Sequence, residues 1–174
     1  APVAPAASRT AACRPPAARR DVRAAYVTRR RSQVERNART VAVGIPGSAV
    51  ETSTEDLLSS VQQRHGGTVA NDGSLNSEVG VPLTVCRITA NTAYLVLEMG
   101  SRGVGHIDYL TRIAPPKIGV VLNVGTAHMG EFGTREAIGT AKAEHVQCLP
   151  ATGFATLHAA DPTVLGMASH ATAH

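Results

Sequence analysis

Tyr94-Leu-Val-Leu-Glu-Met-Gly100 and Ile118-Gly-Val-Val-Leu-Asn-Val-Gly-Thr-Ala-His128, followed by Lys142 in Gly139-Thr-Ala-Lys-Ala-Glu144, decide how this chain is read. Two apolar runs each end in a polar group able to hold metal or phosphate, and a lysine stands on what reads as the next helix. Runs of this kind suit strands buried in a parallel sheet. In such a sheet the strand C-termini open onto the ligand crevice, so Glu98 and His128 are expected to look into one site.

Working outward, strand and helix signals alternate from Thr40 onward. Thr40–Ile45 is a β-rich run, and 52–64 carries Leu57, Leu58 and Val61 at helical spacing before Gly66-Gly67 ends it. Residues 68–70 form a short strand candidate and 82–88 a helix. Strands are expected at 94–99 and 118–124, with a short helix at 107–113 that Pro115-Pro116 terminates. A helix at 134–148, a strand at 154–157 and a last helix at 162–169 complete the series. The alternation predicts an α/β fold, a doubly wound, mostly parallel sheet with helices on both faces.

The chain has 174 residues, enough for one good core and not for a second full domain. Its net charge of +4 is unevenly placed. Residues 1–39 hold ten arginines against Asp21 and Glu35, a net +8, whereas 40–174 carry −4. The first twenty residues are Ala/Pro/Arg-rich and read as disordered, and 21–37 as a weakly held helix. A solvated arm outweighs nucleic-acid binding, because only Tyr26 offers a stacking aromatic. The three cysteines Cys13, Cys86 and Cys148 lack metal-like spacing, which suits a reducing compartment such as the cytoplasm. No apolar run approaches the roughly 18 residues of a membrane span, and no hydrophobic core of a secretory signal is present. Nothing in the sequence fixes an oligomeric state.

Glu98-Met-Gly100, Asn123-Val-Gly-Thr-Ala-His-Met-Gly-Glu-Phe-Gly133 and Ala141-Lys-Ala-Glu144, in this order, resemble the central ATPase domain of the Mur ligases. Asn76-Ser-Glu-Val-Gly-Val-Pro82 and Leu157-His-Ala-Ala-Asp-Pro162 extend the match over about 40–169. Its wording favours the branch that adds D-alanyl-D-alanine to UDP-muramoyl tripeptide in peptidoglycan synthesis. The resemblance implies a P-loop-like domain at 40–174 behind the 1–39 arm, without the two flanking domains of the full ligases. It also implies ATP and magnesium as cofactors and a UDP-muramoyl peptide as partner. On the matching positions, Lys142 and His128 are implied to be catalytic. Gly47, Ser48, Thr52, Ser53 and Asn123 are implied for the nucleotide, and Asn76, Ser77 and Glu78 for substrate. Glu98, His128, Lys142 and Thr52 are implied for metal, with Lys142 as a carbamate that offers oxygen in place of an ammonium.

Each position also has an ordinary structural account. Glu98 could pair with Arg102, His128 could be a packed histidine, and Lys142 a solvent-facing lysine in an Ala-rich helix. An acid directly after Tyr94-Leu-Val-Leu is costly without a partner, which favours a ligand role for Glu98.

The phosphate loop breaks the resemblance. In Gly44-Ile-Pro-Gly-Ser-Ala-Val-Glu-Thr-Ser-Thr54, Val50 and Glu51 stand where the family carries glycine and lysine. Glycine lets backbone N–H groups close around phosphate oxygens, and lysine neutralises the β and γ phosphates. An anion in place of a cation about 4 Å from a phosphate turns roughly 4 kcal/mol of attraction into a similar repulsion at an effective dielectric near 20. Pro46, Ala49, Ser77, His106, His158 and Ala160 depart from the family pattern as well. The expected activity is an ATP-dependent amide ligase of truncated or degenerate form. The competing readings are a non-catalytic folded module and a binder of nucleic acid or acidic partners through the arginine arm.

Overall fold

The computed structural model describes residues 39–47, 51–125 and 129–174. The arginine arm up to residue 38, the helix expected at 21–37 and Cys13 lie outside the described residues, as do Ser48, Ala49, Val50 and His128.

Five strands form one parallel sheet: β1 (Val41–Pro46), β2 (Gly67–Ala70), β3 (Thr92–Met99), β4 (Ile118–Val121) and β5 (Phe154–Leu157). Their spatial order is β2-β3-β1-β4-β5. β1 pairs with β3 from Val41↔Tyr94 to Pro46↔Met99, and β4 joins its other side at Val43↔Ile118. Connections from β1 run toward β2, and those from β3 run the other way to β4. The ends of β1 and β3 therefore flank the topological switch point, where open α/β sheets bind ligands.

Helices α1 (Glu51–Gln62), α2 (Gly80–Val85), α3 (His106–Ile113), α4 (Met129–Phe132), α5 (Arg135–Gln147) and α6 (Pro162–Gly166) occupy the connections, and a 3-10 turn follows at Met167–His170. Leu95, Leu97 and Met99 of β3 pack with Val81 and Val85 of α2 and Leu110 and Ile113 of α3. A second cluster joins Val121 to Ile138 and Val146 of α5 and to Val164 and Met167. Side chains alternate along a strand, so Val96 and Glu98 face the opposite side, where α1 lies.

α5 is fixed by a cap and a keyhole. Thr134 is its N-cap, the side chain accepting from Ala137 N–H. Its buried His145 lies against the backbones of β1 and β4. A Cβ on Gly44 would stand 2.3 Å from His145 Cε1, and one on Gly119 3.0 Å from Cδ2. Both strands need glycine for the imidazole to fit.

Several expected boundaries are corrected. β4 stops at Val121 rather than Val124, because beyond it the Leu122 carbonyl takes the His158 ring (2.9 Å) and the Asn123 and Val124 backbone groups take side chains instead of a neighbouring strand. The helix expected at 82–88 begins at Gly80 and ends at Val85, and the last helix gives way to the 3-10 turn after Gly166. The short α4 was not anticipated. On α1 the apolar pair Leu57 and Val61 faces outward, 66% and 49% exposed, while Glu55 and Ser59 are buried. The helical spacing was right and its buried face was not.

Candidate functional site

A cleft of about 200 Å³ opens at the ends of β1 and β3, lined by Gly47, Asn76, Ser77, Glu78, Glu98, Gly100, Ser101, Arg102 and His106. Its centre is Glu98, which is 5% exposed. The carboxylate takes the Thr52 hydroxyl at 2.7 Å on Oε2 and the Asn76 amide at 2.6 Å on Oε1. Thr52 comes from the first turn of α1 and Asn76 from the loop before α2. Three separate segments thus converge on one acid. Arg102 lines the same cleft, yet the bonds to Glu98 come from neutral donors.

Backbone ties hold the convergence. Gly47 N–H bonds Met99 C=O at 2.8 Å, which docks the start of the phosphate-loop segment against the end of β3. Gly100 N–H bonds Asn76 C=O, also at 2.8 Å. Asn71 Nδ2 donates to Leu75 C=O and, at 3.4 Å, to Glu98 C=O. Asn71 N–H donates in turn to Glu55 Oε1 at 2.8 Å. Burial pushes the Glu55 carboxyl up to about 7, and the neighbouring Glu98 adds to the rise against the lowering by the Asn71 bond.

The other expected residues divide. Ser77 Oγ accepts at 3.4 Å from both Val79 and Gly80 N–H, so its oxygen supports the start of α2. Glu78 is exposed on the cleft rim, and Ser53 is exposed on α1. Lys142 is not a solvent-facing lysine: it is 2% exposed, and its Nζ donates to Asn123 C=O at 2.7 Å. The structure brings Lys142 and Asn123 together on the loop after β4, but neither lines the Glu98 cleft. His128 and Ser48 lie outside the described residues.

That β4 loop is held at two successive residues, Asn123 and Val124. Besides the bond from Lys142, Val124 N–H reaches Asp161 Oδ2 at 2.9 Å, and Arg135 Nε reaches Val124 C=O at 2.9 Å. Arg135 also bonds both Asp161 oxygens at 3.3 Å. The Val124 bond, aided by the N–H groups of Thr163 and Val164 and by Arg135, holds the Asp161 carboxyl below its ordinary range. Sequence reasoning missed this clamp, although Asp161 directly before Pro162 is a helix-start signal.

Among the described residues no group of three His, Cys, Asp or Glu side chains could hold a metal. Glu98 and the Thr52 hydroxyl nevertheless bring a carboxylate and a hydroxyl oxygen together, with the Asn76 amide nitrogen on the other carboxylate oxygen. Magnesium, which keeps several waters and takes one or two carboxylates, suits such a pair of oxygen donors.

Fold and site together define the class: a doubly wound α/β domain with a loop-to-helix junction after its first strand and an acid closing the strand beside it. Residues 45–174 match the Mur ligase middle domain, and the chain belongs to that family. The UDP-N-acetylmuramoyl-tripeptide--D-alanyl-D-alanine ligase of Mycobacterium tuberculosis is 54% identical over 126 residues, covering 72% of this chain and 25% of the relative. The chain therefore spans about a quarter of that relative's length. Among solved structures, MurF from Acinetobacter baumannii superposes with a TM-score of 0.81 at 32% identity, covering 86% of this chain and 33% of the other. MurF ligase from Thermotoga maritima in complex with ADP gives 0.71 at 32% identity, covering 78% and 32%. Among the described residues no helix is long and apolar enough to cross a membrane.

Proposed function

We propose that residues 40–174 are the nucleotide-binding central unit of an ATP-dependent amide ligase that adds D-alanyl-D-alanine to UDP-muramoyl tripeptide. The observation that carries this reading is the convergence of Thr52, Asn76 and Glu98 beside Gly47. It supplies a loop-to-helix junction and an oxygen donor set in one cleft, in a fold shared with proteins of that name. Glu98 and Thr52 would hold magnesium, which when bound would neutralise phosphate charge. Asn76 orients the Glu98 carboxylate, and Asn76, Ser77 and Glu78 form the substrate side. Lys142 and His128 would serve catalysis, as the family pattern implies. In such a reaction a substrate carboxylate attacks the γ-phosphate and an amine then displaces phosphate from the acyl phosphate, so the protein contributes chiefly positioning and electrostatics.

Nucleotide binding in this chain is weak. Glu51 replaces a cation at the phosphate end, Val50 replaces a glycine, and the buried Glu55 carboxyl stands close enough to Glu98 for their charges to interact. Titration calorimetry with magnesium–ATP tests the reading. Val50→Gly combined with Glu51→Lys is expected to tighten binding by more than about tenfold, which is about 1.4 kcal/mol. Micromolar affinity in the unaltered chain would refute the electrostatic argument, and no binding in the repaired chain would refute the site.

A further inference from the structure

We propose that Glu144 is a positioning residue for the cleft, holding through α3 the wall that carries Ser101, Arg102 and His106. The inference rests on reading the Glu98 cleft as the reaction site. Glu144 stands on α5 and does not line the cleft. Its Oε1 accepts from Gly105 N–H, and its Oε2 accepts from Asp108 N–H at 3.0 Å. Gly105 is the N-cap of α3, with φ of +88°, and α3 has no side-chain cap of its own. The cap is therefore supplied from another helix. A carboxylate suits this place, since it satisfies N–H groups that a helix start leaves without partners and faces the positive end of the helix dipole.

The capped turn is continuous with the cleft wall. Arg102 N–H donates to His106 Nδ1 at 3.3 Å, and Ser101 Oγ donates to Gly103 C=O at 3.0 Å. This closes a compact loop between the end of β3 and the first residue of α3. With Nδ1 accepting, the neutral His106 ring is held as its Nε2–H tautomer. Fixing Gly105 and Asp108 on either side of His106 fixes the imidazole and the adjoining Arg102 backbone. α5 makes two comparable ties, Lys142 to the β4 loop and His145 Nε2 to Gly44 C=O at 3.0 Å. One helix thereby ties β1, the loop after β4 and the start of α3 to each other, and Glu144 is its link to the wall that follows β3.

The test uses nuclear magnetic resonance on the whole 174-residue chain, comparing Glu144→Ala and Glu144→Gln with the parent. Amide hydrogen exchange at Gly105 and Asp108 is expected to accelerate by at least about tenfold in Glu144→Ala while β1 and β3 stay protected, as for local opening. Glu144→Gln keeps one acceptor oxygen and should fall between. The readout that a purely structural cap would leave in place is the His106 ring: its nitrogen shifts should move from the Nε2–H tautomer toward a mixture. Unchanged exchange at the two amides, or faster exchange with an unchanged His106 ring, overturns the proposal. Should Glu144→Ala fail to fold, Glu144→Gln decides by the same two measurements. Neither measurement uses a nucleotide or a muramoyl peptide, so failure of ligand binding would count against the ligase reading alone.

Discussion

His145 and Glu55 show how single buried groups set the pH response of this domain. The His145 ring is fully buried, its Nε2 bonded to Gly44 C=O and its Nδ1 without a partner among the described residues. Burial lowers its pKa to about 4, against a smaller raising effect of the Gly44 bond. A depressed histidine leaves folding unaffected above its unfolded value near 6.5. Stability is lost as pH falls from there toward 4, because only the unfolded chain takes up the proton. The full loss is on the order of 3 kcal/mol. Glu55 acts with the opposite sign: its folded pKa is raised from 4.5 to about 7, so its contribution is greatest below the unfolded value and is lost as pH rises through that window. The two slopes oppose each other between about pH 4.5 and 6.5. Urea denaturation across that range should therefore give a nearly flat profile for the parent, a clear acid loss for Glu55→Gln, and a loss toward neutral pH for His145→Leu. Gly44→Ala tests the same keyhole sterically. It should destabilise by roughly 1–3 kcal/mol, less in a His145→Ala background, since the added methyl then has room.

At the scale of elements, the loop after β4 and the start of α6 depend on one carboxylate. Asp161 Oδ1 caps α6 by accepting from Thr163 N–H at 2.9 Å and Val164 N–H at 3.4 Å, while Oδ2 takes Val124 N–H. Asp161→Ala removes a cap worth about 1 kcal/mol and leaves the Val124 donor unsatisfied at about 1–3 kcal/mol more. The expected loss is roughly 2–4 kcal/mol by urea denaturation. Arg135→Ala should cost less, because its ion pair with Asp161 is half open to solvent. The same scale explains why β4 was read too long. Leu122, Asn123 and Val124 carry strand-forming side chains or sit among them, but their backbone groups bond His158, Lys142, Asp161 and Arg135, all distant in sequence. On α1, apolar spacing pointed to Leu57 and Val61. Docking of its first turn through Thr52 to Glu98 goes with a rotation that buries Glu55 and Ser59 instead.

At the scale of the whole molecule, amide formation requires ATP, the UDP-linked acid and the amine to be held together. Such positioning can contribute roughly 7–11 kcal/mol of barrier lowering. The 126 matched residues cover only a quarter of the Mycobacterium tuberculosis ligase. On its own, even with the repaired phosphate loop, the chain should release phosphate from magnesium–ATP slowly at most and make no pentapeptide from UDP-muramoyl tripeptide and D-alanyl-D-alanine. Following phosphate and pentapeptide separately checks this. Pentapeptide made by this chain alone would show that the central unit positions all three substrates.

The sequence by itself determined the sheet and its family. Tyr94-Leu-Val-Leu and Ile118-Gly-Val-Val are local apolar patterns that a parallel sheet demands, and Glu98 at the end of the first is legible because an acid there needs a partner. Tertiary structure decided which partner. Thr52 and Asn76 meet Glu98 across 46 and 22 residues of chain, and Glu144 caps α3 from 36 to 39 residues away. It also turned Lys142 inward and α1 by its polar face. Periodicity reports that a segment forms a helix or strand, because that depends on neighbours a few residues apart. Which side chain completes a distant backbone group depends on the rotation and depth at which elements dock, and those are set only when the sheet brings separate segments together.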